Sequence, residues 1–163
     1  MNIETKADKA TFNTNFSVLK VQTSDSPKFF DITDQVTELV DSSKVSNGIA
    51  CIFSQHTTAA VVIQEHEPLL MTDLCSFIER LAPKGAHYRH NDFHVRTVNM
   101  HEDECPNGHS HCQTLLLGTS ETIPISNKKM VLGTWQRIFV IELDSDKANK
   151  IAHRNIAVQI MGI

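Results

Sequence analysis

The sequence predicts an α+β domain in which antiparallel strands dominate: an antiparallel β-sandwich of about seven strands with about two to three helices. Three observations carry that expectation. Short apolar or alternating runs recur along the chain and occupy both of its ends. A few stretches between them keep helical spacing instead. Turn-forming clusters such as Ser24-Asp25-Ser26-Pro27, Asn47-Gly48 and Pro83-Lys84-Gly85 separate the runs.

Met1–Thr11 is polar, charged and aperiodic, the pattern of a frayed tail, and a single domain is expected over 12–163. Phe16, Val18, Leu19 and Val21 mark a first strand, and Phe29-Phe30 a second. Thr33 or Asp34 caps a helix that carries Val36, Leu39 and Val40 on one face and ends at Asn47-Gly48. Ile49–Phe53 and Ala59–Ile63 read as buried strands. The polar insert Ser54–Thr58 between them is either a hairpin connection or a site. Pro68 suits the first turn of a helix, and Leu70, Leu74, Phe77, Ile78 and Leu81 then form a stripe expected in the core.

Ala86–Cys105 is long, polar and rich in histidine; long loops in compact domains are usually functional or mobile. Ser110–Leu117, with Asn107 before it and Gly118 behind, reads as a helix whose Leu-Leu-Leu run ties it to a core. Thr122–Ser126, Met130–Leu132, Thr134–Leu143 and Ala152–Met161 complete the strands, with an exposed acidic turn at Asp144–Asp146. Alternation puts Trp135 with Phe139 and Ile141 on one strand face, which predicts Trp135 in the core.

At 163 residues the chain can bury a sizeable core without staples. A net charge of -4 and a pI near 6.1 exclude the broad basic footprint that nucleic-acid binding needs, though not a local anion site. No apolar run approaches the ~20 residues of a membrane helix, so no membrane partner is expected. The start lacks a secretory pattern, and Cys51, Cys75, Cys105 and Cys112 contain no CxxC pair. Reduced thiols and a cytoplasmic location follow as expectations.

Histidine carries the chemistry. Of nine histidines, His87, His90, His94, His101, His109 and His111 crowd the middle of the chain. In a helix the two rings of His109-x-His111 stand about 200° apart, so only one can face a given site. That site would lie near a helix N-terminus, where anions are favoured. A zinc knot from Cys105, His109, His111 and Cys112 matches no usual spacing. No Ser-His-Asp elbow, Gly-rich phosphate loop or dinucleotide fingerprint appears. His56, Glu65, His90, Asp92, His109 and His111 remain for acid, base or ligand work, with Arg137 as an anion partner. Each also has an ordinary reading as a turn or strand residue.

Several blocks together resemble the YjbQ-like proteins, also called the secondary thiamine-phosphate synthase family. They are Gln55-His56-Thr57-Thr58-Ala59, Glu65 ahead of a Pro-containing helix start, Tyr88-Arg89-His90-Asn91, NGHSHCQTLLLGTSETIPI and LGTWQRIFVIELD. The resemblance runs from Phe16 to the C-terminus. It implies a YjbQ-like α+β fold, a homotrimer, a weak thiamine-phosphate synthase activity and a histidine-lined pocket that holds a metal ion or an anion.

Carried onto matching positions, it gives His56, Glu65, His90 and His111 catalytic work, with His56, His90 and His111 as ligands of a divalent ion, zinc by their imidazole chemistry. Thr57, Thr58, Gly108, His109, Ser110 and Arg137 are then expected around the phosphate of a small phosphorylated molecule or inorganic anion. Tyr88 and Trp135 are available to stack on a pyrimidine. Gln64 stands where the family often has Asn, and Cys112-Gln113 where a basic residue commonly follows. A metal-dependent hydrolase of a phosphorylated metabolite and a non-catalytic binding module are the rival classes.

Overall fold

In chain order the strands are β1 (Asn13–Thr23), β2 (Lys28–Asp31), β3 (Gly48–Ser54), β4 (Ala59–Glu65), β5 (Ser120–Ser126), β6 (Lys129–Met130), β7 (Gln136–Glu142) and β8 (Ala152–Gly162). The helices are α1 (Thr33–Ser42), α2 (Pro68–Leu81) and α3 (Gly108–Leu117), with a 3-10 turn over Arg89–Asn91. This is a computed structural model that describes residues 11–102, 104–144 and 152–163. The expected tail apart from Thr11, and Ser145-Asp146 of the expected acidic turn, lie outside the described residues.

All pairings are antiparallel. Five strands form one sheet in the order β1-β8-β3-β5-β6, and three form another in the order β2-β7-β4. The larger sheet sends Ala50, Ile52, Ile123, Ile125, Ile156, Val158 and Ile160 into a core shared with Val61, Ile138 and Val140 of the smaller sheet. Val36 and Val40 of α1 close that core. On its other face the smaller sheet packs Ala60 and Ile141, with Leu143 just beyond β7, against Ile78 of α2 and Leu117 of α3. β7 is therefore covered on both sides, and burial of each large aliphatic side chain contributes about 1.5–3 kcal/mol. The outer face of the larger sheet is left open: Phe16, Val18, Ile49 and Phe53 are all exposed on it.

Local chemistry explains the helix starts. The Asp31 carboxylate accepts from the Thr33 backbone N–H (2.9 Å) and from the Thr33 hydroxyl (2.7 Å), which satisfies the first N–H of α1. Glu67 does the same for α2, accepting from the N–H groups of Leu69 and Leu70. α1 stops at Ser43, before Asn47-Gly48, because Lys44 takes a left-handed φ of 64°.

Four expectations need correction. Residues 55–58 are no hairpin connection, since β3 and β4 belong to different sheets and the segment crosses between them. Within the α2 stripe only Ile78 is fully buried, while Phe77 and Leu81 stay about half exposed at 47% and 48%. Leu115 and Leu116 of the leucine run face solvent, and it is His109, Ser110, Gln113 and Thr114 of α3 that are buried. Trp135 precedes β7 instead of lying in it and is 71% exposed.

Candidate functional site

The crossover from β3 to β4 carries His56, Thr57 and Thr58 over the seam between the sheets. It is pinned to the start of β8. Gln55 donates its backbone N–H to the Asn155 carbonyl (3.1 Å), and the Asn155 N–H donates to His56 Nε2 at 2.8 Å. The Arg154 guanidinium lies 3.4 Å from His56 Nδ1.

Behind His56 stands a buried ion pair that the sequence reading missed. Arg154 donates through Nε to Glu142 Oε2 (2.7 Å) and through a terminal nitrogen to Oε1. The Thr23 hydroxyl donates to Oε2 (2.6 Å) and the Asp144 N–H to Oε1 (2.9 Å). Four donors thus fill the acceptor sites of a fully buried carboxylate, the condition for a buried charge to be tolerated. Because Glu142 is on β7 and Arg154 on β8, the pair bridges the two sheets. Burial, and then Arg154, hold the His56 imidazole below its ordinary pKa against an opposing pull from Glu142. Among local signals, only an acid at the end of the apolar run Ile138–Ile141 hinted at Glu142.

α3 supplies the opposite wall. Its first N–H, from Gly108, donates to Asn91 Oδ1 at 2.9 Å, and Asn107 Nδ2 donates to Asp144 Oδ2 at 2.8 Å. Gly108 is required by closeness: a Cβ there would meet the Tyr88 Cβ at 2.5 Å. The Ser110 hydroxyl is buried and donates to the Leu143 carbonyl. His109 is 3% exposed, 3.3 Å from Ser110 Oγ through Nε2, with its ring tilted against Tyr88. Gly108, His109 and Ser110 are thus built into the packing of α3 and do not open onto the clefts described next.

His111, two residues on, faces the other way as helical geometry requires. Its ring meets His90 edge to face, with centroids 4.5 Å apart. Burial lowers its pKa, His90 and Arg96 lower it further, and Asp144 and Glu104 oppose them. Asn91, by holding Gly108, locks the 3-10 turn that carries His90 against α3. Arg96 ties the His-rich loop together: it donates to Glu104 (3.0 Å) and to the Asn99 carbonyl (2.6 Å), with one nitrogen 3.1 Å from His90 Nε2.

Two clefts adjoin along this seam. One, of about 660 Å³, is lined by Phe53, Ser54, His56 and Leu115 among others; the second, of about 350 Å³, by Thr58, His90, Arg96 and Asn107. Thr57 and His111 line both. His56, Thr57, Thr58, His90 and His111 are therefore brought together.

Glu65 and Arg137 are not. They lie at the far end of the smaller sheet, where Gln64 pairs with Arg137 and Glu65 with Gln136. Arg137 is engaged there by Asp31 (2.8 Å) and Asp34 (3.0 Å). Asp92 sits 3.1 Å from His87 on the loop surface, and the Tyr88 hydroxyl is spent on the Pro83 carbonyl (2.8 Å). Gln113 is buried and donates to the Ala82 carbonyl (3.0 Å) at the end of α2.

Zinc requires four ligands, or three and a water. Among the described residues no three His, Cys, Asp or Glu side chains are grouped to hold a metal ion. His90 and His111 converge, but His56 Nε2 already accepts from Asn155 and His90 Nε2 faces Arg96. One chain does not present the expected three-imidazole set. No helix among the described residues is long and apolar enough to cross a membrane.

Known proteins agree with the fold. Residues 17–163 match the family described as UPF0047 protein YjbQ-like. A UPF0047 protein of Methanothermobacter thermautotrophicus is 38% identical over 144 residues, 88% of this chain and 90% of that one. The UPF0047 protein YjbQ of Escherichia coli O157:H7 is 30% identical over 70% of this chain and 77% of its own. Among solved structures, a protein of Sulfolobus solfataricus described as of unknown function superposes with a TM-score of 0.82 at 34% identity, covering 94% of this chain and 100% of that one. One from Clostridium acetobutylicum gives a TM-score of 0.74 at 32% identity, covering 88% and 98%. With a family match over nearly the whole chain and the same two-sheet fold, the chain belongs to the UPF0047 YjbQ-like family.

Proposed function

We propose that the protein binds small phosphorylated molecules in the two clefts that meet at Thr57 and His111. There it acts as a weak thiamine-phosphate synthase. In that reaction the thiazole nitrogen of a thiazole phosphate bonds to the methylene carbon of hydroxymethylpyrimidine diphosphate as the carbon–oxygen bond breaks and pyrophosphate leaves.

One observation carries the reading: a polar cleft with Thr57, Thr58, His90 and His111 adjoins a larger one walled by Phe53 and Leu115. The larger volume, about 660 Å³, suits a small organic ligand. The polar arm receives phosphate oxygens, and the apolar arm receives rings. His111, neutral at rest, takes up a proton as the anion enters and returns hydrogen-bond donation to the leaving oxygen.

The same reading makes the chain a homotrimer joined through the outer face of the larger sheet. The registers Phe16–Gln159–Cys51–Thr122 and Val18–Ala157–Phe53–Ser120 on that face carry no charge, and Phe53 also lines the larger cleft.

The test is calorimetric titration with pyrophosphate and an assay for thiamine phosphate, with wild type and His111→Ala side by side. Binding and product formation that both fall at least tenfold in the variant are expected. Hydrolysis of phosphate esters without joining would replace the reading with a hydrolase. Binding without any turnover would leave a binding module, and no binding would remove the site.

A further inference from the structure

The mode of action of His56 is set by groups outside the clefts. A backbone N–H can only donate, so the Asn155 N–H at 2.8 Å fixes Nε2 as an acceptor. A neutral imidazole accepting at Nε2 carries its proton on Nδ1. That nitrogen faces Arg154, also a donor, at 3.4 Å, beyond the usual length for a hydrogen bond between them. Nδ1–H and Arg154 thus meet donor to donor at the ring that lines the larger cleft, an arrangement relieved by an acceptor that takes both. A second proton on the ring would oppose both Asn155 and Arg154.

Arg154 cannot move aside, because two of its nitrogens are held by Glu142, which Thr23 and Asp144 also fix. Asn155 follows Arg154 directly on β8, so the same anchor sets the position of its N–H. The charged and titratable groups around the ring are Arg154 of β8, Glu142 of β7 and His111 of α3 across the cleft.

We infer that His56 serves the cleft as a neutral hydrogen-bond donor through Nδ1–H and is not a metal ligand, with Glu142 and Arg154 as the residues that position it. The class of ligand atom it takes is an oxygen acceptor, such as a phosphate, carbonyl or hydroxyl oxygen. The choice of ligand rests on the reading of the clefts given above; the tautomer does not.

Ring 15N–1H correlation spectra of the full chain at pH 7.5 test the assignment without any organic ligand. The expected His56 pattern is a protonated Nδ1 and an unprotonated Nε2, unmoved by one equivalent of Zn²⁺. An Nε2–H tautomer, or a His56 signal displaced by zinc, overturns the inference even if pyrophosphate binds as proposed.

The positioning role is read in Glu142→Gln/Arg154→Gln, checked for folding by circular dichroism. Both tautomers should appear, with Asn155 amide exchange at least tenfold faster, while Arg154→Lys keeps the single tautomer. If the double variant does not fold, Glu142→Gln alone takes its place. A folded variant that retains one tautomer and slow Asn155 exchange removes Glu142 and Arg154 from the role.

Discussion

His111 is half-buried beside His90, and burial followed by that neighbour favours its neutral form. An anion entering the cleft favours the charged form and so raises the pKa. Binding therefore takes up a proton, and affinity rises as pH falls. Pyrophosphate affinity should increase several-fold from pH 7.5 to 6.0 in calorimetry, within the roughly thirtyfold ceiling that linkage to one proton sets over that range, and His111→Asn should flatten that dependence.

Gly108 gives a second residue-scale expectation. With Tyr88 2.5 Å from where a Cβ would sit, Gly108→Ala should cost roughly 1–3 kcal/mol in urea unfolding, as overpacking does. A variant as stable as wild type would show that Tyr88 yields freely.

His90 and His111 stood out in the sequence through the density of imidazoles around them, whereas His56, outside that stretch, stood out only through the family resemblance of Gln55–Ala59. Glu142 and Arg154 were not. A charge in an alternating strand reads as solvent-facing, and only the second sheet closing over β7 reveals that both its faces are dry. The bracing role of Asn91 was unreadable for another reason: its partner is the first N–H of a helix that begins 17 residues later.

The elements show where periodicity sufficed and where it failed. β1, β2, β3, β4 and α3 were readable, because alternation, apolar runs and bounding turns all agree there. Helical spacing also found α2, but spacing does not say how much of a stripe is covered, and Phe77 and Leu81 remain half exposed. In α3, Leu115 and Leu116 face out while Leu117 packs against the smaller sheet, because the buried face is the one where Ser110 and Gln113 bond to the Leu143 and Ala82 carbonyls. The split of His109 from His111 followed from helix geometry alone, and the structure shows it.

At the start of α1, burial pushes the Asp31 carboxyl up. Arg137, the hydroxyl and N–H of Thr33, and His66 outweigh that and bring its pKa to about 2. A depressed carboxyl stabilises the fold above its unfolded pKa and loses that contribution as pH falls through the folded one. Asp31 should therefore contribute about 2 kcal/mol at neutral pH, lost between pH 4 and 2. Arg137→Met should shrink the acid-dependent loss in urea unfolding; an unchanged acid limb would mean that other carboxylates dominate it.

For the whole molecule, the sandwich and its helices were legible, and the pairing of strands was not. Nothing local to Ile49–Phe53 and Ala59–Ile63 says that they join different sheets. The open face of the larger sheet bears on assembly. Phe16→Glu with Phe53→Glu places a carboxylate on each of two neighbouring registers and should lower the mass seen by light scattering from that of a trimer to that of a single chain. A wild-type chain that is already monomeric would discard the proposed trimer.

The crossover at residues 55–58 has a mechanical consequence. It is a tether between two plates, since β3 runs into it from one sheet and β4 leaves it in the other, and the Glu142–Arg154 clasp joins the same plates beside it. Anything gripping Thr57 and His111 loads both plates at once. Ligand-induced slowing of amide exchange should therefore appear together in β3 and β4, with the helix that carries His111, and should not stay local to the turn.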